Sequence, residues 1–163
     1  MNLALGIDPG RDKTGFAFVN LRGDLLVSGI FPTEQSMIFV KSLREFSWEE
    51  FVRNNWLIEI LHENLHENFA CDVKYIFVGD GTTSKDFVKN NFADLANKIC
   101  EVDERNTTLE ARDLYWKIHS NTGFFGRLLP KAIRIPPRKL DDLAAWAIAI
   151  RGLAALKNSG DMR

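Results

Sequence analysis

The sequence predicts a single α/β domain over residues 1–163, with a mixed five-stranded sheet and helices on both of its faces. Three apolar runs, at residues 3–7, 14–20 and 25–31, are separated only by short turns and therefore indicate an antiparallel meander. After residue 47 helical and strand patterns alternate, which is typical of parallel strands joined by helices. Together these patterns favour a sheet that contains both strand directions.

Composition places the chain among ordinary soluble globular proteins. Its 163 residues are 45% hydrophobic and 26% charged, which is enough apolar sequence for one core. The formal net charge of −1 gives no overall basic excess, so a nucleic-acid partner has to be sought in local charge. Two cysteines without metal-type spacing fit a reducing cytosol, and no apolar run approaches membrane-spanning length. We therefore expect a cytoplasmic protein without a leader peptide or a membrane partner.

The later elements alternate between helix and strand, and capping boxes mark three of the helix starts, at Ser47, Thr83 and Thr107. Residues 33–46 give no clear pattern and are assigned to a loop with room for a helix. The remaining predicted elements are a helix after Ser47 with apolar ridges that reach Leu65, a strand at 74–79, a helix after Thr83, a strand at 98–102, a helix after Thr107, a loop at 121–137 and a helix at 140–156.

Acidic side chains follow three of the predicted strands, and two more open the last predicted helix. They are Asp8 after the first strand, Asp80 and the pair Asp103-Glu104 after the two later strands, and the pair Asp141-Asp142 at the start of the last helix. Because parallel strands end at one edge of a sheet, these side chains can converge there. Convergent carboxylates repel each other. Two divalent ions would offset that repulsion and clamp the attacking and leaving oxygens of a phosphoryl transfer.

Each acid also has a purely structural explanation. Asp8 precedes Pro9-Gly10 and can be a turn residue, as can Asp80. Asp103 or Glu104 can stabilise the N-terminus of the helix after Thr107, and Asp141 and Asp142 can do the same for the last helix. These explanations stay open for each acid separately, but their coincidence at one sheet edge favours a functional site.

Three motifs stand at the ends of these elements. The first is Gly6-Ile7-Asp8-Pro9-Gly10 with Thr14-Gly15 and Ala17, the second is the run 103–111 (Asp-Glu-Arg-Asn-Thr-Thr-Leu-Glu-Ala), and the third is the run 141–145 (Asp-Asp-Leu-Ala-Ala). They resemble the motifs of the YqgF (RuvX) family of RuvC-like, ribonuclease H-like nucleases, and the resemblance spans the chain. The chain departs from the family at Asp80-Gly81, where the family usually has Leu-Pro.

The resemblance implies a ribonuclease H-like fold and a metal-dependent endonuclease or exonuclease that matures the ends of pre-16S rRNA. It implies Mg²⁺ or Mn²⁺, as two ions, held by Asp8, Glu104 or Asp103, and Asp141. Asp80 and Asp103 are further catalytic candidates, and Asp80 is a candidate fourth ligand because RuvC-type enzymes place an acid at that position. A resolvase that cuts Holliday junctions in branched DNA and a catalytically silent nucleic-acid-binding module are the alternatives. Actin-like ATPases and sugar kinases share the opening motif, but the length of this chain disfavours them because they need two such domains.

A local basic run precedes the last predicted helix. Residues 117–140 contain no acid, and the run leads directly to Asp141. A phosphate backbone that crosses the carboxylates would therefore meet these cations, although they can also be merely solvated. The expected partner is structured RNA or branched DNA, and a homodimer is left open. The residues assigned to nucleic-acid binding are Arg105, Arg127, Lys131, Arg134, Arg138 and Lys139.

Overall fold

The computed structural model describes residues 2–45, 47–62, 73–93, 98–119 and 135–160. Within these residues six strands form one mixed sheet. The strands are β1 Leu3–Pro9, β2 Lys13–Asn20, β3 Leu25–Pro32, β4 Leu57–Ile60, β5 Val73–Gly79 and β6 Ile99–Val102. Their spatial order is β4-β3-β2-β1-β5-β6.

Five α-helices are described around this sheet. They are α1 Ser36–Arg44, α2 Trp48–Arg53, α3 Ser84–Asn91, α4 Thr107–Ile118 and α5 Asp141–Ser159. A single 3₁₀ turn, Thr33–Gln35, leads from β3 into α1. Among the described residues no helix is both long and apolar enough to span a membrane.

Strand β1 lies at the centre of the sheet, where its direction matters for the site. It pairs antiparallel with β2 and parallel with β5, and β5 in turn pairs parallel with β6. The predicted α/β class, the antiparallel meander of β1 to β3 and the mixed sheet are therefore confirmed. As β1, β5 and β6 run in one direction, the residues that follow them lie at one edge of the sheet.

The predicted number of five strands is wrong, because residues 57–60 form strand β4 instead of continuing a helix. Helix α2 ends at Arg53, and Asn55 has a φ of 55°, a left-handed conformation that an α-helix cannot continue through. Strand β4 then pairs antiparallel with β3 at the sheet edge. The end of the predicted ridges, at Leu65, and most of the predicted loop at 121–137 lie outside the described residues.

Two hydrophobic layers cover the two faces of the sheet, as the sequence predicts. One layer is rich in phenylalanine and joins the sheet to α1, α2 and α3, with Phe16, Phe39 and Phe51 fully buried at its centre. The other layer joins the sheet to α4 and α5 through Ala4, Ala17 and smaller side chains of α5. Helices therefore pack on both faces.

Helix α5 lies unusually close to the sheet because glycines face it. A Cβ atom at Gly6 would overlap the backbone oxygen of Ala145, and one at Gly15 would overlap that of Asp141. This close approach places the first turn of α5 directly against β2, next to the end of β1. The position of Asp141 is thus fixed by the backbone contact of α5 with the sheet.

Candidate active site

Asp8 is the half-buried acid at the end of the central strand. Burial raises its pKa to about 7, with additional contributions from the negative charges of Glu104 and Asp141. These residues come from three different elements, because Glu104 follows β6 and Asp141 opens α5. The structure therefore brings Asp8, Glu104 and Asp141 near enough for their charges to interact.

Glu104 rests against two glycines at and after the end of β5. A Cβ at Gly79 would stand 2.6 Å from Oε2 of Glu104, and one at Gly81 would overlap its Oε1. The Glu104 amide donates to Oδ1 of Asp80 at 3.0 Å, and its carbonyl accepts from the amide and hydroxyl of Thr107 at 3.0 and 2.8 Å. The backbone of Glu104 is thus held from both sides.

Arg151 ties the loop that carries Glu104 to helix α5. Its Nη1 donates to the carbonyl of Asp103 at 2.6 Å and its Nη2 to the carbonyl of Arg105 at 2.7 Å. Its Nη2 also donates to Glu110 at 2.5 Å. The carbonyl groups of the two residues next to Glu104 are therefore fixed to the helix that begins with Asp141.

Asp141 and Asp142 are neighbours with different environments. Asp141 is half-buried and lines an open cleft of about 280 Å³ together with Asp8, Thr108 and Lys139. Asp142 is fully buried and accepts hydrogen bonds from Ser28 at 2.7 Å and from Arg138 at 2.7 and 3.2 Å. Of the two, Asp141 is the one whose carboxylate is placed at the cleft.

Asp80 and Asp103 lie at the margin of this cluster. Asp80 is exposed and contacts the backbone of Glu104 through the hydrogen bond described above. Asp103 is paired side-on with Arg105, whose hydrogen bonds lower the pKa of Asp103 to about 2. The structure therefore places Asp80 and Asp103 around Glu104, outside the residues that line the cleft with Asp8.

Arg138 is committed to a buried ionic network. It contacts Asp142 as described and donates to Oε1 of Glu59 at 2.6 Å. The same oxygen lies 2.9 Å from Nε2 of His119. Burial raises the pKa of Glu59, but the hydrogen bonds from His119 and Arg138 outweigh burial and leave that pKa below its usual value. The guanidinium of Arg138 is thus occupied by two carboxylates of the protein, and its contact with nucleic acid stays a prediction.

The other predicted nucleic-acid contacts are distributed differently. Lys139 is exposed at the cleft beside Asp141. Arg105 is exposed but paired with Asp103. Three of the predicted contacts, Arg127, Lys131 and Arg134, lie outside the described residues.

The sequence analysis did not single out several residues near the site. Arg11, in the turn between β1 and β2, and Lys13, the first residue of β2, line a second cleft with Lys139 and Asp141. Asp12 separates them, so the sequence shows no basic run there.

Glu59 looks like a solvated charge in the sequence, because its partners His119 and Arg138 are far away along the chain. Alternation of Ile58 and Ile60 around Glu59 is the signal that could have indicated a strand.

The charge of the cluster fits a divalent cation, since two neighbouring carboxylates raise the pKa of Asp8 and a cation would relieve that repulsion. The spacing fits less well. Within the described part of the chain, no three acidic, histidine or cysteine side chains are grouped closely enough to hold an ion. The three acids therefore have the chemistry that a divalent ion needs, but their side chains do not surround a single position.

Asp8 should make the protein less stable as the pH rises from about 4 to 7 in metal-free buffer. Its pKa is about 7 in the fold and 3.8 ordinarily, so the folded state binds more protons in this range and stability falls with rising pH. At about 1.4 kcal/mol per pH unit, the loss is at most about 4 kcal/mol. Asp8→Asn should therefore unfold at higher urea concentration than wild type at pH 8, with the difference shrinking towards pH 4.

The control for this experiment is Asp113→Asn, which removes an exposed carboxylate of α4. Urea denaturation of the three proteins across the pH range gives the comparison. If Asp8→Asn and Asp113→Asn differ from wild type by the same amount at every pH, Asp8 is not held in the environment described.

Comparisons with known proteins add no family to this description. No family model matches the chain. No curated protein matches it either.

Proposed function

We propose that this chain is a metal-dependent nuclease of ribonuclease H-like arrangement that hydrolyses phosphodiester bonds in structured nucleic acid. The observation that carries the proposal is the cleft in which Asp8 from β1 and Asp141 from α5 meet Lys139, with Glu104 close by. Acids and a cation from distant parts of the chain lie together at the carboxyl edge of a mixed sheet, where ligands of α/β proteins bind.

The order of the strands supports the ribonuclease H-like arrangement. An antiparallel meander occupies one side of β1, and two parallel strands lie on its other side. Asp8, Glu104 and Asp141 all stand at the sheet edge that this order creates. The three motifs that resemble the YqgF family lie at the same positions, and they are the reason to propose pre-16S rRNA ends as the substrate.

In the proposed site the residues fall into three groups with different tasks. Asp8, Glu104 and Asp141 would hold Mg²⁺ or Mn²⁺, which stabilises negative charge on phosphoryl oxygens when bound. Lys139, exposed beside Asp141, would attract and orient the phosphate. Asp80 and Thr107 hold the backbone of Glu104, so that its carboxylate enters the cluster with little freedom.

A silent nucleic-acid-binding module is the second candidate, and a specific observation favours it. The acids described do not form a closed group for an ion. In that case the cleft would bind a phosphate backbone through its cations without cutting it. Cleavage and binding must therefore be measured separately.

The test is incubation of purified wild-type protein with a labelled 16S rRNA precursor and with a four-way DNA junction, each in Mg²⁺, Mn²⁺ or EDTA. We expect cleavage of the RNA with either metal and none in EDTA. Preferential cutting of the junction would instead support a resolvase. Binding of both substrates without cleavage in either metal would overturn the nuclease proposal in favour of the silent module.

A further inference from the structure

Some of the cationic side chains near the carboxylates form ion pairs within the protein, and others do not. Arg105 is paired with Asp103, and Arg138 is paired with Asp142 and Glu59. In contrast, the ion pairs found within the described ranges include no partner for Arg11, Lys13 or Lys139. All three are exposed, and they share one open cleft of about 240 Å³ with Asp12 and Asp141.

The turn that contains Arg11 and leads into Lys13 at the start of β2 is held in place by backbone hydrogen bonds. The Gly10 amide donates to the Lys13 carbonyl at 3.0 Å, which closes the turn. Thr33 holds the loop from outside, with its hydroxyl on the Gly10 carbonyl at 2.9 Å and its amide on the Asp12 carbonyl at 3.0 Å. The two cations therefore project from a fixed backbone, which lowers the entropic cost of binding an anion.

The second cleft is continuous with the carboxylate cleft. Lys139 and Asp141 line both, so a chain that passes over Asp8 and Asp141 in the first cleft meets Arg11 and Lys13 in the second. Three cations outnumber the two acids there, and phosphates are the regularly spaced anions of such a chain. Arg and Lys side chains bind phosphate by charge-assisted hydrogen bonds.

We infer that Arg11, Lys13 and Lys139 form a subsite for a backbone phosphate of the nucleic-acid substrate, next to the phosphate that lies at the carboxylates. This inference rests on the proposed function and adds to it the side on which the strand leaves the cleft. Arg11 and Lys13 bind the strand and hold its position, whereas the carboxylates act on the bond.

The test compares the double variant Arg11→Ala/Lys13→Ala with the matched variant Arg22→Ala/Lys157→Ala. The matched variant removes the same two types of side chain away from the clefts. Arg22 follows the end of β2 that lies opposite Lys13, and Lys157 lies in the last turn of α5, about four turns from Asp141. All four positions are exposed, so melting by circular dichroism should stay near wild type for both.

Binding of a labelled RNA hairpin is followed by fluorescence anisotropy in EDTA at several salt concentrations. We expect Arg11→Ala/Lys13→Ala to bind about tenfold more weakly than wild type. The slope of log K against log salt should fall by about 1.5 to 2. With Mn²⁺ present, KM should rise about tenfold, while kcat at saturating substrate stays within about twofold. The matched variant should behave like wild type throughout.

The outcomes separate the subsite from the nuclease proposal. If wild type cuts RNA and both double variants share its salt slope and KM, the subsite is overturned and the nuclease remains. If only the Arg11/Lys13 variant loses slope but wild type cuts nothing, the subsite stands and the nuclease falls. Displacement of the hairpin from wild type by low millimolar inorganic phosphate would overturn the backbone assignment, since an isolated anion would then suffice.

Discussion

Asp8→Asn, Asp141→Asn and the double variant should all fall to the same residual cleavage rate, at least about 10³-fold below wild type. The two acids meet in one cleft and would share the same bound cation, so the loss of either one disables the unit. Groups that act as a unit give losses that do not add. Single-turnover cleavage of the rRNA precursor in Mg²⁺ and Mn²⁺ measures the rates, and a further fall in the double variant would show that the acids act independently.

Asp142→Asn is the control for Asp141→Asn, because it changes the neighbouring carboxylate. Asp142 is buried against Ser28 and Arg138 and does not line the cleft. Its variant should unfold at lower urea concentration than Asp141→Asn, yet the folded fraction should retain cleavage. The opposite pattern, with Asp142→Asn folded but inactive and Asp141→Asn fully active, would mean that the wrong member of the pair has been assigned to the site.

Arg138→Ala should lower the free energy of unfolding by about 3 to 5 kcal/mol. Asp142 is fully buried, and the guanidinium contacts both of its carboxylate oxygens as well as Glu59. Removal of the guanidinium leaves two carboxylates without their cation, in surroundings that solvate a charge poorly. Urea denaturation at neutral pH measures the loss.

Two further variants separate the network from simple loss of packing. Arg138→Lys keeps the charge but cannot bind both oxygens of Asp142 with two parallel N–H groups, so it should recover only part of the stability. Arg138→Met/Asp142→Leu replaces the pair by apolar side chains and should be less destabilised than Arg138→Ala alone. A loss below about 1 kcal/mol for Arg138→Ala would contradict the buried pair.

The meander and the parallel strands could be predicted because local sequence determines them. Apolar runs of strand length around Arg22-Gly23-Asp24 leave the antiparallel pairing of β2 and β3 as the simple solution. The alternation after residue 73 likewise requires crossovers. Once the strand directions are known, the ends of β1, β5 and β6 must lie at one edge of the sheet, which places Asp8 and Glu104 there. Asp141 was predicted to join them from the start of the last helix.

Strand β4 and the ionic network could not be predicted because they depend on tertiary contacts. The apolar residues Leu57, Ile58 and Ile60 have spacings that fit a helix or a strand, and pairing with β3 decides between them. The network joins Glu59 to Arg138. These residues are 79 positions apart in the sequence and come into contact only when the chain folds. Charges of this kind look like surface residues in a linear sequence.

Helix α5 connects distant parts of the cluster. It begins with Asp141, and about three turns later Arg151 donates hydrogen bonds to the carbonyls of Asp103 and Arg105, the residues on either side of Glu104. Because a packed helix of this length moves as one body, two of the three acids share a single mechanical support. We therefore expect heat to separate these acids in one step, when α5 leaves the sheet, so that the rate of this detachment would limit how long the protein keeps its site at high temperature.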